Sequence, residues 1–407
     1  MRVAFFPDAY NEVDGVANVS RHFEAFARNR GLPFLTIHAG PQRKTTIEGS
    51  VTRLQLPRSW LTFPLDRSHE YDLGFWRYYE QVMETVREFA PDLVQITGPS
   101  DLGMLGAMVA HKLHVPLAAT WQTNLDQYAK SRLTPVLEWL PRRWSNAVLH
   151  GAEKWALLGA MRFYRIPRLL FAPNPEMVAL LEARTGKPCL LMSHSVDTEA
   201  FNPRFRDRER GSFTIGYVGR LTREKNVRML ARLDQTLRER GHRDFRFMIV
   251  GEGGERPWLE QQMRGAEFTG VLTRRALSRA FANMDLFVFP SETDTFGLAV
   301  LEALASCVPA VVTASGGPKY TIEHGRTGFV AGNFDEFVAY TERFLTDRTL
   351  AATMGEAGRE CALATSWEQI FEDMHHSYER YFHAPEEVTQ GVFEARDPEF
   401  GALKRLG

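Results

Sequence analysis

The sequence predicts an α/β protein of two similar domains, each built on a parallel sheet, facing each other across a central cleft. Three observations predict it. Short apolar runs alternate with helical segments from end to end, the pattern that strand–helix–strand crossovers leave behind. At 407 residues the chain is too long for one ordinary hydrophobic core. Between Ser195 and Ser212 the alternation lapses: Asn202-Pro203 leads into a charged, apolar-poor run, RFRDRERGS. That stretch is the expected linker.

Taken in order, the first half offers strands at Val3–Phe6, Phe34–His38, Leu93–Ile96, Leu117–Thr120, Leu169–Phe171 and Leu190–Met192. The second half repeats the arrangement at Thr214–Val218, Arg246–Val250, Leu286–Phe289, Ala310–Val312 and Gly328–Val330. Each is a short apolar run with a helical segment or turn residues beyond it. Ser366-Trp367-Glu368-Gln369 has the capping-box pattern and opens a last helix that extends to about Tyr381. The expected domains are therefore 1–200, 201–370, and a terminal helix and tail at 371–407 that can pack back on the first domain. Ligands of such open sheets bind beyond the carboxyl ends of the strands, so the motifs should face the cleft.

Composition excludes several functions. With 49 basic against 50 acidic residues there is no global field to attract nucleic acid. Cys189, Cys307 and Cys361 are far apart and lack paired metal-ligand spacing, so neither a zinc site nor a disulfide framework is expected. No apolar run approaches the roughly 20 residues of a membrane helix. MRVAFF is broken too soon by Pro7-Asp8 to be a signal sequence, and a cytoplasmic protein is expected. Peripheral contact at the inner face of the membrane stays open. Arg53, Arg58, Trp60, Phe63, Arg67, Phe75 and Trp76 interleave charge with large apolar groups, as do Arg142-Arg143-Trp144 and the segment from Arg162 to Arg168. This suits an anionic surface or a charged acceptor; the competing expectation is a packed surface helix with solvated arginines.

The most informative stretch is Ser291 to Glu302, SETDTFGLAVLE, which follows the apolar run DLFVFP. Strand, loop and helix follow one another here. Phe296-Gly297-Leu298 would supply the unpaired first N–H groups of the helix, and with the helix dipole they favour an anion such as a pyrophosphate. Glu302 interrupts the apolar run LAVLEALA, where a carboxylate is costly to bury unless hydroxyls of a ligand donate to it. A first-turn acid and a solvated helix face is the alternative. Earlier, Thr214–Val218 runs into Gly219-Arg220-Leu221-Thr222-Arg223-Glu224-Lys225-Asn226. Arg220 and Lys225 stand where two cations can clamp a diphosphate, or are simply exposed loop charges. Asn226 is the expected cap of the next helix.

In this order and spacing, GYVGRLTREKN, IVGEGG, FTGVLTRRAL, FVFPSETDTFGLAVLEALAS and GGPKYTIEHGRTGFV resemble the donor-binding domain of retaining glycosyltransferases of family 4, which have the GT-B fold of two Rossmann-like domains. The likeness spans nearly all of Ser212 to Trp367. RVAFFPDAYNEVDGV, PDLVQITGPSDLG, ATWQTN and SVDTEAFNP resemble the acceptor domain more loosely. The resemblance implies that Arg220 and Lys225, with Gly219 before them, meet the diphosphate of a nucleotide-sugar donor. It implies that Glu302 contacts the ribose and Asp294 the hydroxyls of the transferred sugar, with the backbone of Thr295, Phe296, Gly297 and Leu298 around sugar and phosphates. Gly15 matches a glycine loop that approaches donor and acceptor. Asp8, Gly15, Ser100 and Gln122 are the expected cleft rim.

Three departures from the family pattern matter. Asp294 replaces the more frequent Glu, Gln122 stands where many relatives have a His, and Cys307 replaces a common Gly, which reads as packing variation. Gln122 cannot titrate and is expected to position the donor sugar. No Asp-x-Asp occurs, so a metal-independent transferase without a resident cofactor is expected. The resemblance implies retaining hexosyl transfer to a lipid or glycan hydroxyl. GDP-mannose is the first donor, from the GGP variant and the TDTFG loop, and UDP-glucose the second. A nucleotide-sugar epimerase of the same fold and a non-catalytic nucleotide-sugar-binding subunit remain as alternatives.

Overall fold

The computed structural model describes residues 1–11, 15–64, 70–72, 74–121, 155, 157–207 and 211–382. The first half contributes β1 (Val3–Phe6), α1 (Gly15–Asn29), β2 (Phe34–Gly40), β3 (Lys44–Glu48), β4 (Val51–Pro57), β5 (Thr62–Pro64), β6 (Glu70–Asp72), α2 (Tyr79–Phe89), β7 (Leu93–Ile96), α3 (Asp101–Leu113), β8 (Leu117–Thr120), β9 (Leu169–Ala172), α4 (Pro175–Thr185) and β10 (Cys189–Leu191). The second contributes β11 (Phe213–Val218), α5 (Arg228–Glu239), β12 (Phe245–Val250), α6 (Arg256–Gln262), β13 (Glu267–Gly270), α7 (Arg274–Ala282), β14 (Leu286–Phe289), α8 (Leu298–Ala305), β15 (Ala310–Thr313), β16 (Gly328–Ala331), α9 (Phe334–Thr346), α10 (Arg348–Leu363) and α11 (Trp367–Phe382).

Two parallel sheets organise these elements, in the orders β10-β9-β8-β7-β1-β2-β4-β3 and β13-β12-β11-β14-β15-β16. The central strands, VAFF in β1 and LFVF in β14, are buried at every position, because helices cover both faces of a parallel sheet. Only β3 runs antiparallel to its neighbour among the ladders of the first sheet. It is an edge strand, largely exposed, and its terminal Lys44 and Glu48 discourage pairing with another chain.

The last helix belongs structurally to the first half. Trp367, Phe371, Met374 and Tyr378 of α11 share a core with Val3, Phe5, Phe23 and Phe171. Phe371 stacks on Phe23 at 4.8 Å, and the buried Tyr378 hydroxyl donates to Gln95 Oε1 at 2.9 Å. Gln369 N–H donates to Ser366 Oγ at 3.1 Å, the bond that the capping-box pattern foretells. The chain thus crosses between halves twice. Ser195 Oγ, on the outward crossing, donates to Thr365 O on the return at 3.0 Å.

Several expectations need correction. The segment from Arg53 to Tyr79 is not a surface helix with solvated arginines: among its described residues lie the end of β4, then β5 and β6, and helical residues begin only at Phe75. Arg53 Nε donates to the buried Glu24 at 2.6 Å and Arg58 Nη1 to the buried Asp101 at 2.6 Å, so both arginines are structural. Trp60 is 89% exposed, whereas Phe75 is buried, so the aromatic residues there do not share one face. Arg142-Arg143-Trp144 lies outside the described residues. Strands β3 to β6 and β13 are not among the expected strands: β3, β5, β6 and β13 are short or at edges, and β4, inside the sheet, mixes Thr, Arg and Gln into its apolar run, VTRLQLP. Asn226 does not cap α5; it takes a left-handed conformation (φ 53°) after a short 3-10 turn, and Val227 precedes the helix. Cys307 is also left-handed (φ 58°), so its departure from glycine is a matter of backbone conformation rather than packing.

Candidate active site

Each sheet has one place where the strand order reverses, and loops on either side of it part to leave a crevice. In the second sheet this lies between β11 and β14, so the loops 219–227 and 290–297 flank it. In the first it lies between β1 and β7, flanked by the loops after Phe6 and Ile96.

The second-sheet crevice carries the charged residues. Lys225 Nζ lies 2.6 Å from Asp294 Oδ1, an ion pair with both side chains mostly covered. Burial is the largest influence and would raise the Asp294 carboxyl, but the Lys225 ammonium, Ser291 and Arg220 together hold the group below the usual carboxylate range. The second oxygen, Asp294 Oδ2, is buried with no hydrogen-bond partner among the described residues. A buried ionised oxygen without a donor is costly, and its natural complement is a hydroxyl brought by a ligand. Arg220 Nη2 pairs with Glu224 Oε1 at 2.8 Å and stays more exposed than Lys225. The fully buried Tyr217 hydroxyl donates to Arg220 O at 3.0 Å, and Thr293 Oγ1 to Glu224 O at 3.2 Å, which ties the two loops together.

Three consecutive carbonyls fix the loop that carries Asp294. Asp294 O accepts from Gly317 N at 2.7 Å, Thr295 O from Asn174 Nδ2 at 2.7 Å, and Phe296 O from Thr321 Oγ1 at 3.2 Å. The loop ends at Gly297, whose φ of 93° turns the chain into α8; no side chain caps that helix. The helix thus begins directly after the loop that carries Asp294, with its N-terminal dipole uncapped by any side chain among the described residues. Glu302 sits in α8 between the buried Leu301 and Ala303. Among the described residues no side chain hydrogen-bonds its carboxylate, and burial pushes its pKa up to about 8, against a smaller pull from Arg274.

The first-sheet crevice is built differently. Asp8 N–H donates to Thr97 Oγ1 at 2.7 Å, and Ser100 Oγ donates to Asp8 Oδ1 while also capping α3. Gly15 opens α1, and a Cβ placed there would lie 2.8 Å from Leu298 Cδ1. The starts of α1 and α8 thus meet across the cleft, and a side chain at position 15 would require Leu298 to shift. Gln122 lies outside the described residues. Trp121 before it is buried, with its ring 4.9 Å from that of Tyr164. The structure brings together Gly219, Arg220, Lys225, Asp294 and Thr295 to Leu298, with Gly15 opposite and Glu302 one turn along α8.

Sequence reasoning missed Asn174 and His194. Asn174-Pro175 is a readable helix start, but its bond to Thr295 is tertiary. His194 lies 4.4 Å from the Phe296 ring, and burial lowers its pKa to about 4.

The sequence profile of the family described as Glycosyl transferases group 1 matches residues 199–361. The GDP-mannose-dependent alpha-mannosyltransferase of Mycolicibacterium smegmatis is 30% identical over 309 residues, 74% of this chain and 76% of that protein. The chain belongs to the group 1 glycosyltransferases. Sulfoquinovosyl transferase SQD2 of Arabidopsis thaliana is similar over 388 residues at 28% identity, covering 90% of this glycosyltransferase and 71% of the plant protein. Among solved structures, sucrose-phosphate synthase from Thermosynechococcus elongatus superposes with a TM-score of 0.75, covering 95% of this chain and all of that one at 17% identity. The fold of this glycosyltransferase is therefore GT-B, and the family segment contains the whole β11–α8 crevice.

Proposed function

We propose that this glycosyltransferase moves a hexosyl group from a nucleotide-diphosphate sugar to a hydroxyl of a lipid or glycan acceptor, with retention of configuration and without a metal. The observation that carries the reading is the Lys225–Asp294 pair: one oxygen holds the ammonium, and the other is buried and unclaimed. Asp294 Oδ2 takes a hydroxyl of the transferred sugar, Glu302 takes ribose hydroxyls, and the diphosphate lies against Arg220, Lys225 and the α8 N-terminus. Charge grows on that diphosphate as the glycosidic bond breaks. Groups fixed there favour the transition state over the ground state, and losing one such donor typically costs about a hundredfold to a thousandfold in rate. The leaving phosphate oxygen accepts the acceptor's proton on the same face, which retains the anomeric configuration and requires no titrating group at Gln122. GDP-mannose is the first donor, in line with the GDP-mannose dependence of the relative from Mycolicibacterium smegmatis, and UDP-glucose the second. The absence of Asp-x-Asp from the sequence supports metal independence.

The test incubates the protein with radiolabelled GDP-mannose or UDP-glucose, with lipid extract and glycan acceptors, in excess chelator. Expected is labelled product whose anomeric proton shows the donor's configuration. An inverted product, or activity lost to EDTA and restored by magnesium or manganese, would overturn the corresponding part.

A further inference from the structure

We infer that Asn174 is a positioning residue for sugar transfer: from the first domain, it fixes the loop that presents Asp294. The inference rests on the transferase reading above. Asn174 immediately precedes α4, is 4% exposed, and uses both ends of its amide. Oδ1 accepts from Met177 N at 2.9 Å and caps the helix, while Nδ2 donates to Thr295 O at 2.7 Å across the cleft. Of the three carbonyls that hold the loop, the outer two are met from the second domain itself, by Gly317 and Thr321. The middle one, beside Asp294, is met from the first.

The choice of side chain is the discriminating fact. Ser, Thr, Asp and Asn cap helices comparably well, but an ionised Asp has no hydrogen to donate. The Ser and Thr hydroxyls are a bond shorter than the Asn amide nitrogen. Asn alone can cap α4 and still present a separate N–H to Thr295. Around it, Glu176 Oε1 meets Lys319 Nζ at 2.6 Å, and the His194 ring packs on Phe296. The ion pair is exposed on the Glu176 side and contributes little holding energy, whereas the Asn174 bond is covered and directional. When the domains separate, Thr295 O loses this donor and the loop loses its central tether. Asp294 Oδ2 is then no longer held where the sugar hydroxyl arrives.

The separating experiment uses Asn174→Asp and Asn174→Ala in the full chain. Asn174→Asp keeps the cap but sets a carboxylate against Thr295 O, so its melting temperature should fall modestly, while kcat falls about tenfold and KM for the donor changes less than twofold. Hydrogen exchange at residues 294–298, measured with saturating GDP or UDP, should speed up in the same variant. Asn174→Ala should lose stability as well as kcat. Wild-type kcat and wild-type exchange in Asn174→Asp overturn the inference. If wild type transfers neither sugar, the proposed function fails instead, and the exchange measurement still decides the role of Asn174.

Discussion

The two crevices of this molecule occupy equivalent places in their sheets and are built from opposite materials. Beyond β11 and β14, a full cation and a full anion are held 2.6 Å apart, and an uncapped helix adds its dipole. Beyond β1 and β7, the carboxylate of Asp8 accepts from the hydroxyl of Ser100, and the backbone N–H of Asp8 donates to Thr97 Oγ1. The difference teaches a division of labour. Strong opposed charges tolerate burial only when each is balanced, and a diphosphate is a group that can take over such a balance. A carboxylate supported by hydroxyls suits the orientation of another hydroxyl, which is what an acceptor brings.

The largest expected effect tests that division directly. Lys225→Ala should reduce turnover by about a hundredfold or more and also weaken nucleotide binding, because it removes a donor at the leaving group and strands Asp294. Arg220→Ala should cost less, since its guanidinium is more exposed and already neutralised by Glu224. Asp8→Asn replaces a charge-assisted hydrogen bond by a neutral one and should lower turnover by roughly tenfold with an unchanged nucleotide Kd. Calorimetric Kd values beside kcat decide the matter: if Asp8→Asn weakens nucleotide as much as Lys225→Ala does, the division of labour is wrong.

A smaller effect is set by pH. Glu302 titrates near 8 in the unliganded fold, above its ordinary carboxylate value, so the folded state holds its proton longer than the unfolded chain. The stability this confers is complete at acidic pH and is lost as pH rises through about 8, and Glu302→Gln should remove that loss. Ribose hydroxyls donate best to the ionised form. Donor affinity should therefore strengthen between about pH 6 and pH 8, with proton release on binding, and the dependence should vanish in Glu302→Gln. Calorimetry in buffers of different ionisation enthalpy reads this, and proton uptake on binding would contradict it.

The smallest effect concerns a position in the charged half that carries no charge. Cys307 holds a left-handed conformation that costs an L-residue about 1–2 kcal/mol, partly offset by the entropy that glycine loses on folding. Cys307→Gly should raise the melting temperature by roughly 1–3 °C and leave turnover unchanged. A fall would show that the thiol's packing outweighs the backbone term.

Legibility in the sequence followed the same contrast. The charged crevice lies within two strand–loop–helix units, so Asp294 and Glu302 are eight positions apart in the chain as well as neighbours on one loop and helix, and the central buried strands declare themselves as unbroken apolar runs. The other crevice joins Asp8 to Ser100 across 92 positions, and nothing local announces that bond. Asn174 reads as a helix cap because capping is local, whereas its second bond spans 121 positions. Edge strands such as β3 escaped because their alternation is half polar, and Cys307 was read as packing because a φ angle leaves no mark in a sequence that lacks the usual glycine.

The hydrogen bond from Ser195 to Thr365 pins the two crossings of the chain at one point. Two bodies joined at neighbouring pins can swivel but cannot slide past one another, so opening becomes a jaw motion. Atoms beside Ser195 and Thr365 hardly travel in such a motion, and displacement grows toward the mouth of the cleft. In the proposed transfer, such a motion admits an acceptor at the mouth while a donor bound beyond β11 and β14 travels with its own jaw.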